Sequence, residues 1–472
     1  MTTHDVSVSS SAAVQRKTIR TLVAGQALGG LAVTSGAAVA VLLAEQILGS
    51  AALAGLAQTA QVVGAAAGAF VLARLMGVRG RRVGLVTGYG IGALGTGLCV
   101  LAGVVSSFTA LLAGTFAIGW ATAANSQARY AATDLAEPGS RARALAVVVW
   151  ATTLGAVVGP NLTGPGAVVA RWFGIPEITG IFVLAFVAVS VGTGVLWLFL
   201  RPDPLLLARE HAAARGEDTT SRVGLRRVWT VVSQRPQAIA AIVAIAVSHG
   251  VMLSVMVMTP VHMNNGGAHL TVIGFVISVH VLGMFAFSPL VGWLTDRLGR
   301  APMLATGSVL LLAAVALSGT APEGHSTGLV VGLFLLGLGW SCSLIAGSAL
   351  LVDVVPFAER PATQGASDLV MGLFAALAGV AGGAVVAFWG YAVLNVAAGV
   401  LALVVLGAAA VARVAPSGSA SRTVRRGESH RRGRESHLRW AAPWPEWRTR
   451  RPERGTRRPR RGTRRRERGT RG

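Results

Sequence analysis

Charge is scarce in this chain of 472 residues: Asp, Glu, Lys and Arg make up 13%, against 53% hydrophobic residues. Ordinary soluble domains carry about a quarter charged residues, and a mean hydropathy of +0.61 excludes that class. Cysteine is nearly absent. Cys99 and Cys342 both lie inside apolar runs, which excludes a disulfide framework and a cysteine metal site. Lys17 is the single lysine. No Gly-x-x-x-x-Gly-Lys-Ser/Thr loop is present to cradle nucleotide phosphates, so the chain is not an ATP-driven pump by itself. With no catalytic constellation, no metal set and no cofactor motif, neither an enzyme nor a cofactor is expected.

The net charge of +23 suggests a nucleic-acid binder until it is divided by region. Residues 413–472 carry 21 arginines against 5 glutamates, so most of the basicity belongs to the tail. This tail repeats Arg-Gly-Thr-Arg at Arg454, Arg461 and Arg468. Without apolar a and d positions it cannot be a coiled coil. It reads as a disordered segment against the inner leaflet or RNA, with Trp440, Trp444 and Trp447 as interfacial anchors, or as an extension without a selected role.

What the chain has in abundance is apolar run. Twelve spans of about 20 residues fit, near 21–43, 51–73, 83–105, 108–129, 144–168, 179–200, 237–260, 271–291, 302–320, 328–351, 364–387 and 391–412. Residues 1–16 lack the apolar core and cleavage site of a removed leader, so the first span is read as a retained signal anchor. With the N-terminus inside, alternate loops gather twenty basic residues, Arg129 among them, on the inner side and only Arg171 on the outer side. That bias puts both termini in the cytoplasm. The predominance of Arg over Lys with abundant Ala, Gly and Val suggests a GC-rich bacterial genome and hence the inner membrane.

A constant offset of 219 residues relates Gly80-Arg81 to Gly299-Arg300, Asp134 to Asp353 and Arg141 to Arg360. The offset argues for an all-α polytopic membrane protein made of two pseudo-symmetric six-helix bundles. The expected organisation is a cytoplasmic N-terminus at 1–20, bundles at 21–200 and 237–412, a charged linker at 201–236 with a short amphipathic helix near Leu205–Ala214, and the basic tail at 413–472.

Between the spans 271–291 and 302–320 stands Gly292-Trp293-Leu294-Thr295-Asp296-Arg297-Leu298-Gly299-Arg300, read as a tight cytoplasmic loop. Glycines serve close approach or unusual φ, arginines face the negative leaflet, and Asp296 can cap a helix N-terminus. The stretch resembles the Gly-x-x-x-Asp-Arg-x-Gly-Arg loop signature of the major facilitator superfamily. That resemblance implies two six-helix halves with a substrate path between them, and a conformational gate of Gly292, Asp296, Arg297, Gly299 and Arg300 with Gly80 and Arg81 in the first half. In the family this acid anchors the loop to a helix start of the other half. Gly77 and Val78 stand where Asp296 and Arg297 stand later, so the latch is expected from Asp296 toward Ser140–Arg143.

Gly155, Gly159, Pro160 and Asn161 resemble the family's antiporter helix, with Gly164 one position later than its usual spacing. Glycines on one face admit a close neighbour, and proline permits a bend. Many proton-coupled exporters of the family carry an arginine in helix four, where this chain has Thr115. Proton coupling is therefore expected from His249, His280 or Asp368, ionisable groups inside spans. Gln26, Thr34, Gln58, Asn125, Asn161 and Asn395 are candidates to line the cavity. The expected function is proton-coupled efflux of small organic or amphipathic molecules by alternating access, by a monomer whose partners are the small-molecule substrate, the lipid bilayer and the proton gradient, with no nucleic acid. A metabolite importer, or a membrane anchor with an RNA- or lipid-binding tail, stands as the alternative.

Overall fold

The computed structural model describes residues 3–49, 51–219, 224–324 and 326–414, and within them all side chains except those of residues 3–11, 32, 34–38, 51–54, 160, 225 and 270. The expectations for the basic tail from residue 415 onward, for the Thr34 side chain and for the Pro160 ring lie outside these described parts. Among the described residues the fold is all helical, with α-helices, three 3-10 turns and no strand. In chain order the helices are α1 (Thr3–Leu48), α2 (Ala51–Arg79), α3 (Arg81–Val104), α4 (Phe108–Ala131), α5 (Arg141–Asn161), α6 (Thr163–Phe173) and α7 (Gly180–Phe199). Two short ones follow, α8 (Pro204–Ala214) and α9 (Leu225–Ser233). The second part holds α10 (Pro236–Asn265), α11 (Leu270–Phe285), α12 (Ser288–Leu298), α13 (Arg300–Gly319), α14 (Thr327–Val354) and α15 (Arg360–Val414).

Nine stretches among the described residues are long and apolar enough to cross a membrane by length and composition. The protein is a polytopic helical membrane protein. Its outer faces expose large apolar side chains such as Leu377, Val380, Phe388 and Val396, a surface suited to lipid and not to water. Helix α4 is long enough but not among the nine, because Thr122, Asn125, Ser126, Gln127 and Arg129 make one of its faces polar.

Breaks fall where backbone chemistry requires them. Helix α15 is interrupted at Gly390 (φ 85°, ψ 171°), a conformation that side-chain-bearing residues rarely adopt. The fifth span is not one rod: α5 ends at Asn161 and α6 begins at Thr163. Pro165 has no N–H to give the Asn161 carbonyl one turn back, and Pro160 likewise withholds one from Ala156. The eighth is also two pieces, α11 and α12, meeting at Ala286–Phe287 just before Pro289, which occupies the first turn of α12. Gly292–Arg300 departs from the loop expected of it. Helix α12 runs through Leu298, and the turn is confined to Gly299 (φ 101°, ψ 164°). Gly80 makes the same turn between α2 and α3 (φ 91°, ψ 169°), 219 residues earlier. In the charged segment between α7 and α10, α8 is capped by the Asp203 carboxylate, which accepts from the Leu205 and Leu206 N–H groups; α9 went unread in the sequence.

Candidate functional site

A cavity of about 400 Å³ lies between α1, α2, α4 and α5 of the first part of the chain and α10, α11, α14 and α15 of the second. Alanines and valines of α2 and α15 supply thin walls, Phe285 and Trp340 an aromatic one, and Gln26, Gln58, Gln61, Thr122, Asn125 and Thr152 the uncharged polar groups. Such a cavity, mostly apolar with a few converging polar groups, is the usual form of a small-molecule site.

Arg129 and Asp368 also line it. Arg129 Nη2 lies 2.5 Å from Asp368 Oδ1, with both side chains about 95% buried. The second carboxylate oxygen accepts from Gln127 Nε2 at 2.6 Å. The rest of the guanidinium is engaged too, by the Ser348 hydroxyl (3.3 Å), the Ser126 carbonyl (2.9 Å) and the Tyr130 hydroxyl (3.3 Å). Buried charges persist only when paired and hydrogen-bonded, and here the pair ties α4 to α15. Ser348 is the 219-offset counterpart of Arg129, so the bond between them joins equivalent points of α4 and α14.

At one end of the cavity charged side chains seal the two parts together. Arg81 Nε and Nη2 donate to the two Asp134 oxygens at 2.8 and 3.1 Å, and Nη2 reaches Gln364 Oε1 on α15 at 2.7 Å. Arg300 Nε donates to Asp353 at 3.0 Å, the same corner at the 219 offset. Asp353 also accepts from Arg141 Nη1 at 2.7 Å, across the two parts, and Arg360 lies in the field of Asp134 as its counterpart. Asp296 accepts from the backbone N–H groups of Ala142 (3.1 Å) and Arg143 (2.9 Å), the first turn of α5, where helix geometry leaves donors free and favours negative charge. Gly292 makes the approach possible: a Cβ there would lie 2.5 Å from the Ala146 Cβ and 2.8 Å from the Ala142 carbonyl. Arg297 stays outside this network, exposed, with its guanidinium 5.2 Å from the Trp293 ring.

The remaining sequence candidates scatter. His249 lines the cavity and its Nδ1 accepts from Trp340 Nε1 at 2.8 Å. His280 does not line it; buried between α11 and α14, its Nδ1 lies 2.8 Å from the Leu333 carbonyl. Gln26, Gln58 and Asn125 line the cavity. Asn161 and Asn395 do not, since each amide donates to a carbonyl of its own helix, Val157 and Tyr391, at 2.7 and 2.9 Å. At Gly155 a Cβ would meet the backbone of Gly30 and Leu31 within 2.6–2.8 Å, so α5 crosses α1 at backbone contact. Gly159 is buried and Asn161 exposed.

Arg129 is a site residue that the sequence pattern alone does not single out. It counted among inner-loop arginines, yet it belongs to the last turn of α4 and is 4% exposed. Thr115, at the position of the arginine that the resemblance implies, donates to the Leu112 carbonyl of its own helix. Arg129 supplies the charge on the same helix about four turns further on. The local signal is that four of the five positions 125–129, Asn125, Ser126, Gln127 and Arg129, are polar or ionisable and cannot all face lipid.

The family model of the Major Facilitator Superfamily matches residues 22–268 and 254–455. The MFS-type transporter YdeG of Bacillus subtilis is 38% identical over 83% of this chain and 90% of its own length. The riboflavin transporter RfnT of Brucella anthropi is 29% identical over 76% and 86%. The crystal structure of the human organic anion transporter MFSD10 superposes with a TM-score of 0.63 at 17% identity, covering 84% of this chain and 99% of that one, a likeness of fold. With the family model and YdeG each spanning most of the sequence, the chain belongs to the Major Facilitator Superfamily, whose members are transporters and not enzymes.

Proposed function

We propose that the protein is a proton-coupled secondary transporter that exports small organic or amphipathic molecules by alternating access. The observation that carries this reading is the buried Arg129–Asp368 pair, which joins the two parts of the chain within the cavity wall. Twelve spans form two halves, residues 21–200 and 237–412, joined by the linker 201–236. The sealed end faces the cytoplasm with both termini, by the basic bias of its loops, in a bacterial inner membrane, and the working unit is a monomer. A proton arriving from outside neutralises Asp368, and α4 loses its charged hold on α15. The Asp296 latch on α5 and the Gly292 contact then part, and the corners at Gly80-Arg81 and Gly299-Arg300 carry each half as a unit. Substrate enters from the cytoplasm, the proton leaves there, and the pair re-forms as the end closes. His249, in the same cavity wall, is the second candidate for the proton; His280, outside it, is the weaker one. The Gly155–Gly159 face against α1 and the bend at Pro160–Asn161 let α5 rock.

A second reading, uptake of a metabolite, draws on the similarity to RfnT, a riboflavin transporter. Inverted vesicles separate the two. Export predicts accumulation of fluorescent organic substrates under an inside-acid gradient, abolished by Asp368→Asn, while gradient-free exchange of the same substrates persists. Accumulation only under an inside-alkaline gradient would establish uptake, and gradient-independent rates in both proteins would remove proton coupling.

A further inference from the structure

The cavity contains both signs of charge, yet it offers neither to a ligand. Asp368 has each oxygen engaged, one by Arg129 and one by Gln127, and Arg129 distributes its donors over Asp368, Ser348, Ser126 and Tyr130. An ionic substrate would have to break this set and leave a buried charge unpaired. What the walls leave open is neutral. Gln26 is 5% exposed and lines the cavity. Its Nε2 is held by Thr152 Oγ1 at 3.0 Å, which fixes the amide, while Oε1 is buried with no partner among the described residues. A buried acceptor without a donor is costly, and a ligand that brings the donor recovers that cost. Opposite in character is His249. An indole nitrogen only donates, so His249 Nδ1, receiving the Trp340 N–H at 2.8 Å, carries the lone pair and Nε2 carries the proton. The same bond holds the indole plane, and Phe285 meets it edge-on with centroids 5.6 Å apart.

We propose that this cavity recognises an uncharged, flat heteroaromatic molecule bearing a ring N–H, with Gln26 Oε1 as the acceptor that selects it. The ring lies along the aromatic wall, where stacked and edge contacts add to the burial of area. The ring N–H reaches Gln26, and a ring acceptor can take the His249 Nε2 proton. Thin alanine walls on α2 and α15 suit a flat body. This assignment rests on the transporter reading and narrows its substrate class.

Binding to the full-length protein in lipid nanodiscs tests it with four fluorescent probes. These are lumichrome, its 1,3-dimethyl derivative lacking both ring N–H groups, ethidium as a cation and fluorescein as an anion. Lumichrome is expected to bind, with the dimethyl compound weaker by about tenfold, the loss that follows from one unmet buried polar group. Gln26→Leu should weaken lumichrome about tenfold and leave the dimethyl compound within about twofold. Retained binding of the dimethyl compound by Gln26→Leu, with an unchanged Tm, guards against a folding defect. Equal loss for both ring compounds in Gln26→Leu, or tighter binding of ethidium or fluorescein than of lumichrome, overturns the assignment. Alternating access is read separately from a cysteine placed at Ala376 in the cavity. If no probe binds yet that cysteine is labelled from either side in turn as the pH gradient is reversed, the substrate class falls and the transporter reading stands. If neither occurs, both fall.

Discussion

Two interfaces close the charged end, α12 against α5 and α15 against α2, and the 219 offset superposes one on the other. Close packing is present in both, but the glycine has changed sides. Gly292 on α12 faces Ala146 on α5, whereas Gly365 on α15 faces Ala73 on α2; position 73 corresponds to 292 and 146 to 365. In each interface one partner gave up its Cβ so that backbones could touch, and it did not matter which. The hydrogen-bonded latch behaves otherwise. Asp296 accepts from Ala142 and Arg143, and the corresponding positions are Gly77, Pro361 and Ala362. Pro361 has no N–H to offer, so the acid and one of its two donors are lost together. The segment between the halves occupies the vacated corner: the Arg209 guanidinium donates to the Gly77 carbonyl and Asp203 accepts from the Arg82 N–H at 2.7 Å. Shape is duplicated; charge has been reassigned.

The largest expected effect separates the two corners. Arg81 is fully buried and Asp134 nearly so, and Arg81→Ala strands a carboxylate at about 3–5 kcal/mol. Arg300→Ala also takes a partner 3.2 Å from Asp296, but Asp353 keeps Arg141 at 2.7 Å and Asp296 keeps the N–H groups of Ala142 and Arg143, so no carboxylate is stranded and the loss is smaller, about 1–2 kcal/mol. Thermal unfolding in detergent would show it as a much larger drop in Tm for Arg81→Ala; equal drops would erase the asymmetry.

Next comes the latch. Asp296→Asn removes a full charge from the α5 N-terminus and one of two acceptors, worth up to about 2 kcal/mol in a partly buried setting. Turnover should slow, and a cysteine in the cavity should become about tenfold more reactive from the charged end. Unchanged labelling and kinetics would relieve Asp296 of any closing role. The smallest effect is the most diagnostic. Gly77→Asp alone should alter that reactivity by no more than about twofold, because one of the two donors is missing. Combined with Pro361→Ala it should lower reactivity several-fold, by restoring an acceptor and donor worth about 1 kcal/mol. Equal effects of the single and double variants would show that the vacated corner cannot host a latch.

How much of this is legible in the sequence depends on how local the cause is. The turns at Gly80 and Gly299 are legible, since a glycine before arginine recurs at one offset, and the carboxylate of Asp296 is readable as a capping group. The course of α12 through Leu298 is not, because a charged helix end and a charged loop share one composition. Arg129 is hidden by the same ambiguity: an arginine near the end of a span counts equally toward loop bias or buried pairing, and only Asp368, 239 residues away, decides. The Trp340 bond that orients His249 spans 91 residues, and no spacing rule reaches that far. Interruptions at Leu162 and Phe287 are half legible, through the prolines beside them.

The repeated corner has a consequence for origin. Each acid, Asp134 or Asp353, is gripped by an arginine of its own half and faces one that begins a helix of the other, Arg360 or Arg141. A lone ancestral half with one such corner would make both seals at once against a second copy of itself, as a two-fold homodimer does. Copies joined in one chain are free to diverge, and Gly77 and Pro361, standing where Asp296 and Ala142 stand at the 219 offset, are a difference that no homodimer could carry.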